Sequence, residues 1–306
     1  MKYLLALLIV VSVTNNIIAC DWCGCASGSS GVGILPGIKK SFVAVRTSAN
    51  YSTAFNEHST TAEEAKAKPH SAEESYTTEL WARYNIKDRV QLFAFLPYVV
   101  NLKTEEGVFE KNHGIGDAVL MANVVIFNTS DSIAKKVKHH IMAGGGIKLP
   151  TGKFGNISPN GLLIPNMQTG TGTVDFLTNG IYTLRYSNWG VQADAAYRIN
   201  LTNNTYAYRF GNRTNAGLRA YYWHAMDKLM LMPFAGLLFE HADKDLKRER
   251  VREKTGGEGL YSSLGLQAFF WKMGIAANWS QPLYSNYGNG YVAQHARWNT
   301  QIQFFF

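Results

Sequence analysis

The sequence predicts an all-β protein: a single antiparallel transmembrane β-barrel of about 12 strands in an up-and-down meander. Three observations predict it. Apolar and polar residues alternate with period two over stretches of ten or more residues. That exceeds the ~5–6 residues of an ordinary soluble strand and matches the ~9–11 of a strand that crosses a bilayer. The connections mostly alternate long and short, as external loops and periplasmic turns do. The chain also ends on a strand in which Val292, Gln294, Ala296, Trp298, Thr300, Ile302, Phe304 and Phe306 alternate with Tyr291, His295, Arg297, Asn299, Gln301 and Gln303. Such an aromatic end is the kind of signal that outer-membrane barrel assembly machinery reads.

Composition agrees. The 306 residues are 46% hydrophobic, yet mean hydropathy is only −0.14, as expected when apolar and polar faces cancel. No linker divides the chain. Residues 1–19 read as a signal peptide, with Lys2 as its positive region and 3–13 as its apolar core. Beyond it no run approaches the ~18 apolar residues of a membrane helix. Residues 20–40 form a Cys/Gly-rich periplasmic lead-in, and 41–306 the barrel. The three cysteines, Cys20, Cys23 and Cys25, all lie in that lead-in. Three readings stay open for them: lipidation at Cys20, a soft-metal thiolate site, or a small structural knot with or without a disulfide. The net charge of +8 is spread along strands and loops, and its one dense run, 247–254, is mixed in sign. Nucleic acid is not an expected partner.

The elements follow in order. The first strand is expected near 41–51, followed by a polar loop to 74. Near 75–85, Tyr76, Thr78, Leu80, Ala82 and Tyr84 alternate with Thr77, Glu79, Trp81, Arg83 and Asn85. Near 90–103, Val90, Leu92, Ala94, Leu96, Tyr98 and Val100 face outward, and Pro97, which cannot donate to a ladder, predicts an irregularity. Strands near 115–128 and 139–149 follow; in the latter Ile141, Ala143, Gly145, Ile147 and Leu149 share one face. The longest proline-bearing loop spans 150–168. Strands are next expected near 171–186 and 189–201, the latter with Trp189, Val191, Ala193, Ala195, Tyr197, Ile199 and Leu201 on one face. The strand near 206–223 carries Arg209, Arg213 and Arg219 on one parity. Both faces are apolar near 229–241, so its orientation is open. A charged loop, 242–258, precedes strands near 260–269 and 271–280, and a loop with Pro282 leads to the last strand, 291–306. Aromatic residues near strand ends, among them Tyr84, Tyr98, Tyr186, Trp189, Trp223 and Trp271, suit the two interfaces of a bilayer.

The run Gly114-Ile-Gly-Asp117, then Gly145-Gly-Ile-Lys-Leu-Pro-Thr-Gly152, then Gly170-Thr-Gly172 with Asp175 and Gly180, resembles the outer-membrane barrel family named for the MetA pathway of phenol degradation. The resemblance covers roughly residues 76–200. It implies a transporter of the Gram-negative outer membrane, and the family name suggests an amphipathic or aromatic compound.

No catalytic or cofactor motif is present. G-x-S-x-G and H-E-x-x-H are missing, and His139 and His140 point to opposite strand faces, so an enzyme, a cofactor and a metal held by these histidines are not expected. The chemistry expected is that of a lumen. Parity places Arg46, Glu79, Arg83, Asp117, Lys148, Asp175, Arg185, Asp194, Arg198, Arg209, Arg213, Arg219, Lys272 and Arg297 inward, with Trp81, Phe93, Phe95, Met121, Leu177 and Tyr221 as apolar inward positions. Basic groups outnumber acidic ones, which favours anions in an open pore. The sequence thus predicts a transporter- or porin-like barrel for a small amphipathic or aromatic, anionic solute. The other reading is a structural or surface-interaction barrel whose ion pairs close the lumen. A barrel of twelve strands lies between those filled by side chains and those holding a wide aqueous channel.

Overall fold

The computed structural model describes residues 40–55, 69–87, 89–105, 107–129, 136–158, 161 and 163–306. The signal peptide and the three cysteines expected from the sequence lie outside the described residues. The strands, in chain order, are β1 (Phe42–Phe55), β2 (Pro69–Ile86), β3 (Val90–Glu105), β4 (Val108–Ile115), β5 (Ala118–Asn128), β6 (Val137–Leu149), β7 (Asp175–Tyr186), β8 (Trp189–Asn200), β9 (Tyr208–Arg209), β10 (Arg213–Tyr222), β11 (His224–Ala225), β12 (Leu229–Ala242), β13 (Leu246–Lys247), β14 (Arg250–Val251), β15 (Gly257–Phe270), β16 (Met273–Tyr287), β17 (Val292–Gln294) and β18 (Arg297–Phe305).

The described residues form a closed 12-strand antiparallel meander. β4 and β5 make one stave, broken at Gly116-Asp117, and β17 and β18 make the last. Closure is a ladder from Phe42↔Phe305 to Ala49↔Trp298. Both terminal strands therefore meet at the end that carries the short connections 187–188 and 271–272, the end such barrels turn to the periplasm. The irregularity expected at Pro97 is present in its neighbour. β3 pairs Phe95↔Val119 with β5 but Tyr98↔Ile115 with β4, so one extra residue is accommodated opposite the proline.

Several strands run further than the sequence suggested. The first loop shrinks to 56–68 because β1 and β2 pair as far as Phe55↔Pro69. Pro282 lies within β16 rather than in a loop, opposite a register shift at Leu260/Tyr261. Conversely, β7 begins only at Asp175, because 169–174 leave the wall to dock on the loop before them.

Alternation sorts the faces. Exposed apolar residues ring the outside, among them Val43, Leu80, Leu96, Leu120, Val124, Phe176, Val191, Leu218, Leu237, Leu264 and Ile302. A soluble protein rarely exposes so continuous an apolar surface. Tyr84, Tyr186, Trp189 and Trp271 stand exposed at the short-turn end, where amphipathic rings meet the bilayer interface. The chain is thus an outer-membrane barrel. Trp223 departs from the expected aromatic belt, since it packs against the buried interior cluster instead. β12 resolves its ambiguity by placing Pro233, Ala235, Leu237 and Phe239 outward and Met232 and Glu240 inward.

Candidate functional site: a two-storey lumen

The interior has two storeys of different chemistry. Toward the short-turn end, Phe42, Ala44, Trp81, Phe93, Phe95, Val119, Met121, Leu177, Tyr221, Met232, Phe269 and Phe305 form one buried cluster. Inward positions of nine of the twelve staves contribute to it. Trp81 lies at its centre, edge-on to Phe42 at 4.6 Å and stacked on Phe95 at 5.7 Å; such pairs contribute about 0.5–1.5 kcal/mol beyond area burial. Two of the expected lumen cations belong here. The Arg83 guanidinium lies 4.8 Å from the Phe42 ring centroid and donates to the Lys40 carbonyl at 2.7 Å. That of Arg185 lies 4.0 Å from the centroid of Trp223.

Toward the outer end the wall turns polar around a chamber of about 220 Å³. Its cations are held against buried carboxylates. Arg46 faces its cross-strand partner Glu79 and bonds to it. Lys148 reaches both Asp117 and its cross-strand partner Asp175 at 2.8 Å. Arg219 bonds Asp194, and Gly236 leaves it room, because a Cβ there would stand 2.8 Å from the Arg219 Cγ. Arg297 reaches past β16 and β15 to Glu240 on β12 at 2.8 Å, with its guanidinium over the Tyr261 ring at 4.0 Å. Buried ions need such partners, since an isolated charge would lose several kcal/mol of hydration. Arg198 lies 4.0 Å from Asp175 and, with Arg213, lines the chamber.

Two residues expected in the lumen lie elsewhere. Arg209 sits on β9, which leaves the barrel wall to pair with β13 in a small three-stranded external sheet, and its nearest carboxylate there is Glu249 at 3.8 Å. The strand expected over 206–223 is interrupted at 210–212, so the three-arginine stripe does not form. Lys272 is exposed, because Trp271-Lys272 is the two-residue turn between β15 and β16.

The glycine-rich motifs converge on one carboxylate. Asp117, at the β4/β5 break, accepts from Lys148 Nζ (2.8 Å), the Gly152 amide (3.0 Å), and the Thr171 amide and hydroxyl (2.8 Å each). Thr151 closes the break itself, donating to the Gly116 carbonyl and accepting from the Ala118 amide, both at 2.8 Å. Gly152 and Gly170 are in backbone contact; a Cβ on Gly152 would come within 2.7 Å of the Gly170 Cα. The loop between them folds over the chamber. Gln168 holds it by accepting from the Gly155 and Asn156 amides at 2.9 and 2.8 Å, and Asn101 and Asn112 in the wall donate to its carbonyls. Asn204 ties this loop to the external sheet by donating to the Thr171 carbonyl at 3.1 Å. In that sheet Asp245 accepts from the Tyr208 hydroxyl and the Gly211 amide. Burial, then the Asp245 carboxylate, push the Tyr208 hydroxyl pKa well up. Sequence reasoning missed Gln168, Asn204 and Asp245, since single polar residues in loops carry no period, and Asn101, whose inward parity on β3 does not reveal the loop it holds; the threonines beside motif glycines were the available signal.

No family model and no curated protein matches this sequence. The fold does match solved structures. The chain is similar to an outer membrane channel from Pseudomonas putida F1, with 15% identity, a TM-score of 0.64, and 89% of this chain covering 100% of that one. It is also similar to the beta domain of the Bordetella autotransporter BrkA, with 12% identity, a TM-score of 0.51, and 87% of this chain covering 100% of that one. At these identities the likeness is one of fold: a closed outer-membrane β-barrel.

Proposed function

We propose that this barrel is a transporter of a small amphipathic or aromatic solute carrying negative charge, and that it is not an enzyme. The observation that carries the proposal is the two-storey lumen. A polar chamber opens toward the loops and rests on an aromatic layer, so one end of a solute meets arginines and the other meets rings. The printed description of the Pseudomonas putida neighbour as a channel supports the transport class. The resemblance to the phenol-degradation barrel family supports the solute class. The signal peptide through Ala19, the periplasmic lead-in and the barrel assembly machinery as a partner belong to the same proposal. In it Asp117, Asp175 and Asp194 fix the cations, while Lys148, Arg198, Arg213, Arg219 and Arg297 present positive charge to the solute. Arg83 and Arg185 stand beside the aromatic path, and Arg209 stands at the external mouth.

A second reading is favoured by the dense packing around Trp81 and by the ion pairs that hold Arg46, Lys148, Arg219 and Arg297. In that reading the lumen is closed and the loops serve as a surface for partners. Liposome swelling separates the two. Proteoliposomes of the refolded chain should swell in small organic anions faster than protein-free liposomes. Equal rates for every solute would leave the closed barrel.

A further inference from the structure

We propose that Asn123 and Asn179 form a hydrogen-bonding station beside the aromatic layer. It takes an uncharged group that both donates and accepts, a carboxamide or a hydroxyl. The proposal deepens the transport reading by naming what the layer-facing end of the solute carries, and it rests on that reading for its biological use.

β6 contributes no residue to the buried apolar cluster. Its inward position at that height is Gly146, paired with Met121 on one side and Leu177 on the other. One rung further from the chamber the inward position is Gly144, paired with Asn123 and Asn179. The next rung is apolar again, where buried Met142 pairs with buried Ile181. Two amides thus stand between apolar rungs, on either side of a glycine that places no side chain between them. Asn123 is 1% exposed and Asn179 7%. Asn123 Oδ1 and both amide atoms of Asn179 have no hydrogen-bond partner among the described residues. Asn123 is aimed over the bare stave, since a Cβ on Gly144 would stand 2.2 Å from its Oδ1. Buried amides are bonded as a rule, so this pair suits a group from outside the chain. Together the three atoms offer two acceptors and one donor. A carboxamide or hydroxyl answers that set, and a carboxylate, which only accepts, does not.

Entry is from the chamber. Val119 and Lys148 line it and form the rung directly outside Gly146. Met121 covers the step between, because a Cβ on Gly146 would come 2.5 Å from its Cγ. Methionine has three rotatable bonds and a soft sulfur, so it can swing aside and still pack.

The probe is benzamide, followed by ligand-observed NMR with the refolded full chain in detergent micelles. Acetophenone has nearly the same shape but accepts without donating, and serves as the counterpart. Wild type should bind benzamide more tightly than acetophenone. Asn123→Leu and Asn179→Leu, close to isosteric, should each weaken benzamide about tenfold, the loss of about one hydrogen bond in a dry site. Neither should weaken acetophenone by as much. The thermal midpoint of each variant should hold or rise, because an unbonded buried amide gives way to an apolar group. Equal affinity of wild type for the two probes overturns the station, as does benzamide affinity that survives both substitutions. A lowered midpoint in both variants assigns the amides to bracing the wall and also overturns it. Conductance in planar bilayers keeps the two readings apart. A conducting wild type that does not prefer benzamide overturns the station alone, and a non-conducting wild type that prefers it overturns transport alone.

Discussion

Replacing Asp117 by Ala tests whether the glycine-rich motifs serve to latch the chamber loop. The carboxylate is buried and accepts from two backbone amides, one hydroxyl and the Lys148 ammonium. Removing it leaves the Gly152 and Thr171 amides without their acceptor, at about 1–3 kcal/mol each. Lys148 keeps Asp175 at 2.8 Å, so its loss falls below that of a fully broken buried pair, about 3–5 kcal/mol. Water entering from the chamber offsets part of the amide cost. The net destabilisation should be about 3–5 kcal/mol, concentrated at the outer end of the barrel. Urea unfolding of the refolded protein in lipid vesicles, followed by tryptophan fluorescence, measures the total. Limited proteolysis locates it: cleavage should appear within 150–174 before the wall opens. An unchanged unfolding midpoint together with a protease-resistant loop would refute the latch.

The remaining predictions concern the contact glycines, the wall and the external sheet. Gly152→Ala should destabilise the same loop by about 1–3 kcal/mol, since its Cβ would press on the Gly170 backbone; proteolysis of 150–174 reports it. Ala195, exposed on β8 between Gly180 and Ala216, should face lipid. Ala195→Arg should therefore cost about 2–4 kcal/mol, read as a lower folding yield in vesicles. Tyr208→Phe removes the hydroxyl bonded to buried Asp245 and should cost about 1–2 kcal/mol in thermal unfolding, with the barrel itself intact. Epitope tags in 56–68 and in 243–256 should be reachable on intact cells, and labelling only after permeabilisation would reverse the orientation.

Much of the barrel was legible in the sequence because membrane strands write their environment twice. Leu92, Leu96 and Tyr98 point to lipid while Phe93, Phe95 and Val99 point inward, and period two exposes both sets. Strand ends were less legible. Lipid contact fixes the pattern only within the bilayer, and β2 and β3 continue past it as a polar ladder whose residues, such as Ala72 opposite Thr104 and Ser71 opposite Glu105, read as loop. Arg209 was misplaced because its parity matches that of Arg213, and parity does not reveal the interruption at 210–212. The motifs were visible as motifs, but their purpose was not. Asp117, Lys148, Gly152 and Thr171 are separated by up to 54 residues in the chain, and only the fold shows that they meet at one carboxylate. Six of the twelve residues of the apolar layer, Trp81, Phe93, Phe95, Met121, Leu177 and Tyr221, were named from parity, yet their fusion with the others into one layer depends on side-chain size across the lumen, which alternation does not encode.

The account turns on a lumen in which a basic chamber stands over an aromatic layer that a solute must pass. The most direct measurement is the flux of benzoate into proteoliposomes of wild type and of the double variant Trp81→Ala/Phe95→Ala. Removing these two rings, both nearly fully buried, thins the layer; Arg46, which lies over the Trp81 ring, keeps its bond to Glu79. The account predicts slow benzoate entry through wild type, faster entry through the variant, and a preference for benzoate over the cation benzylamine in both. Absence of flux in wild type and in a folded variant alike, or equal entry of benzoate and benzylamine, would contradict it.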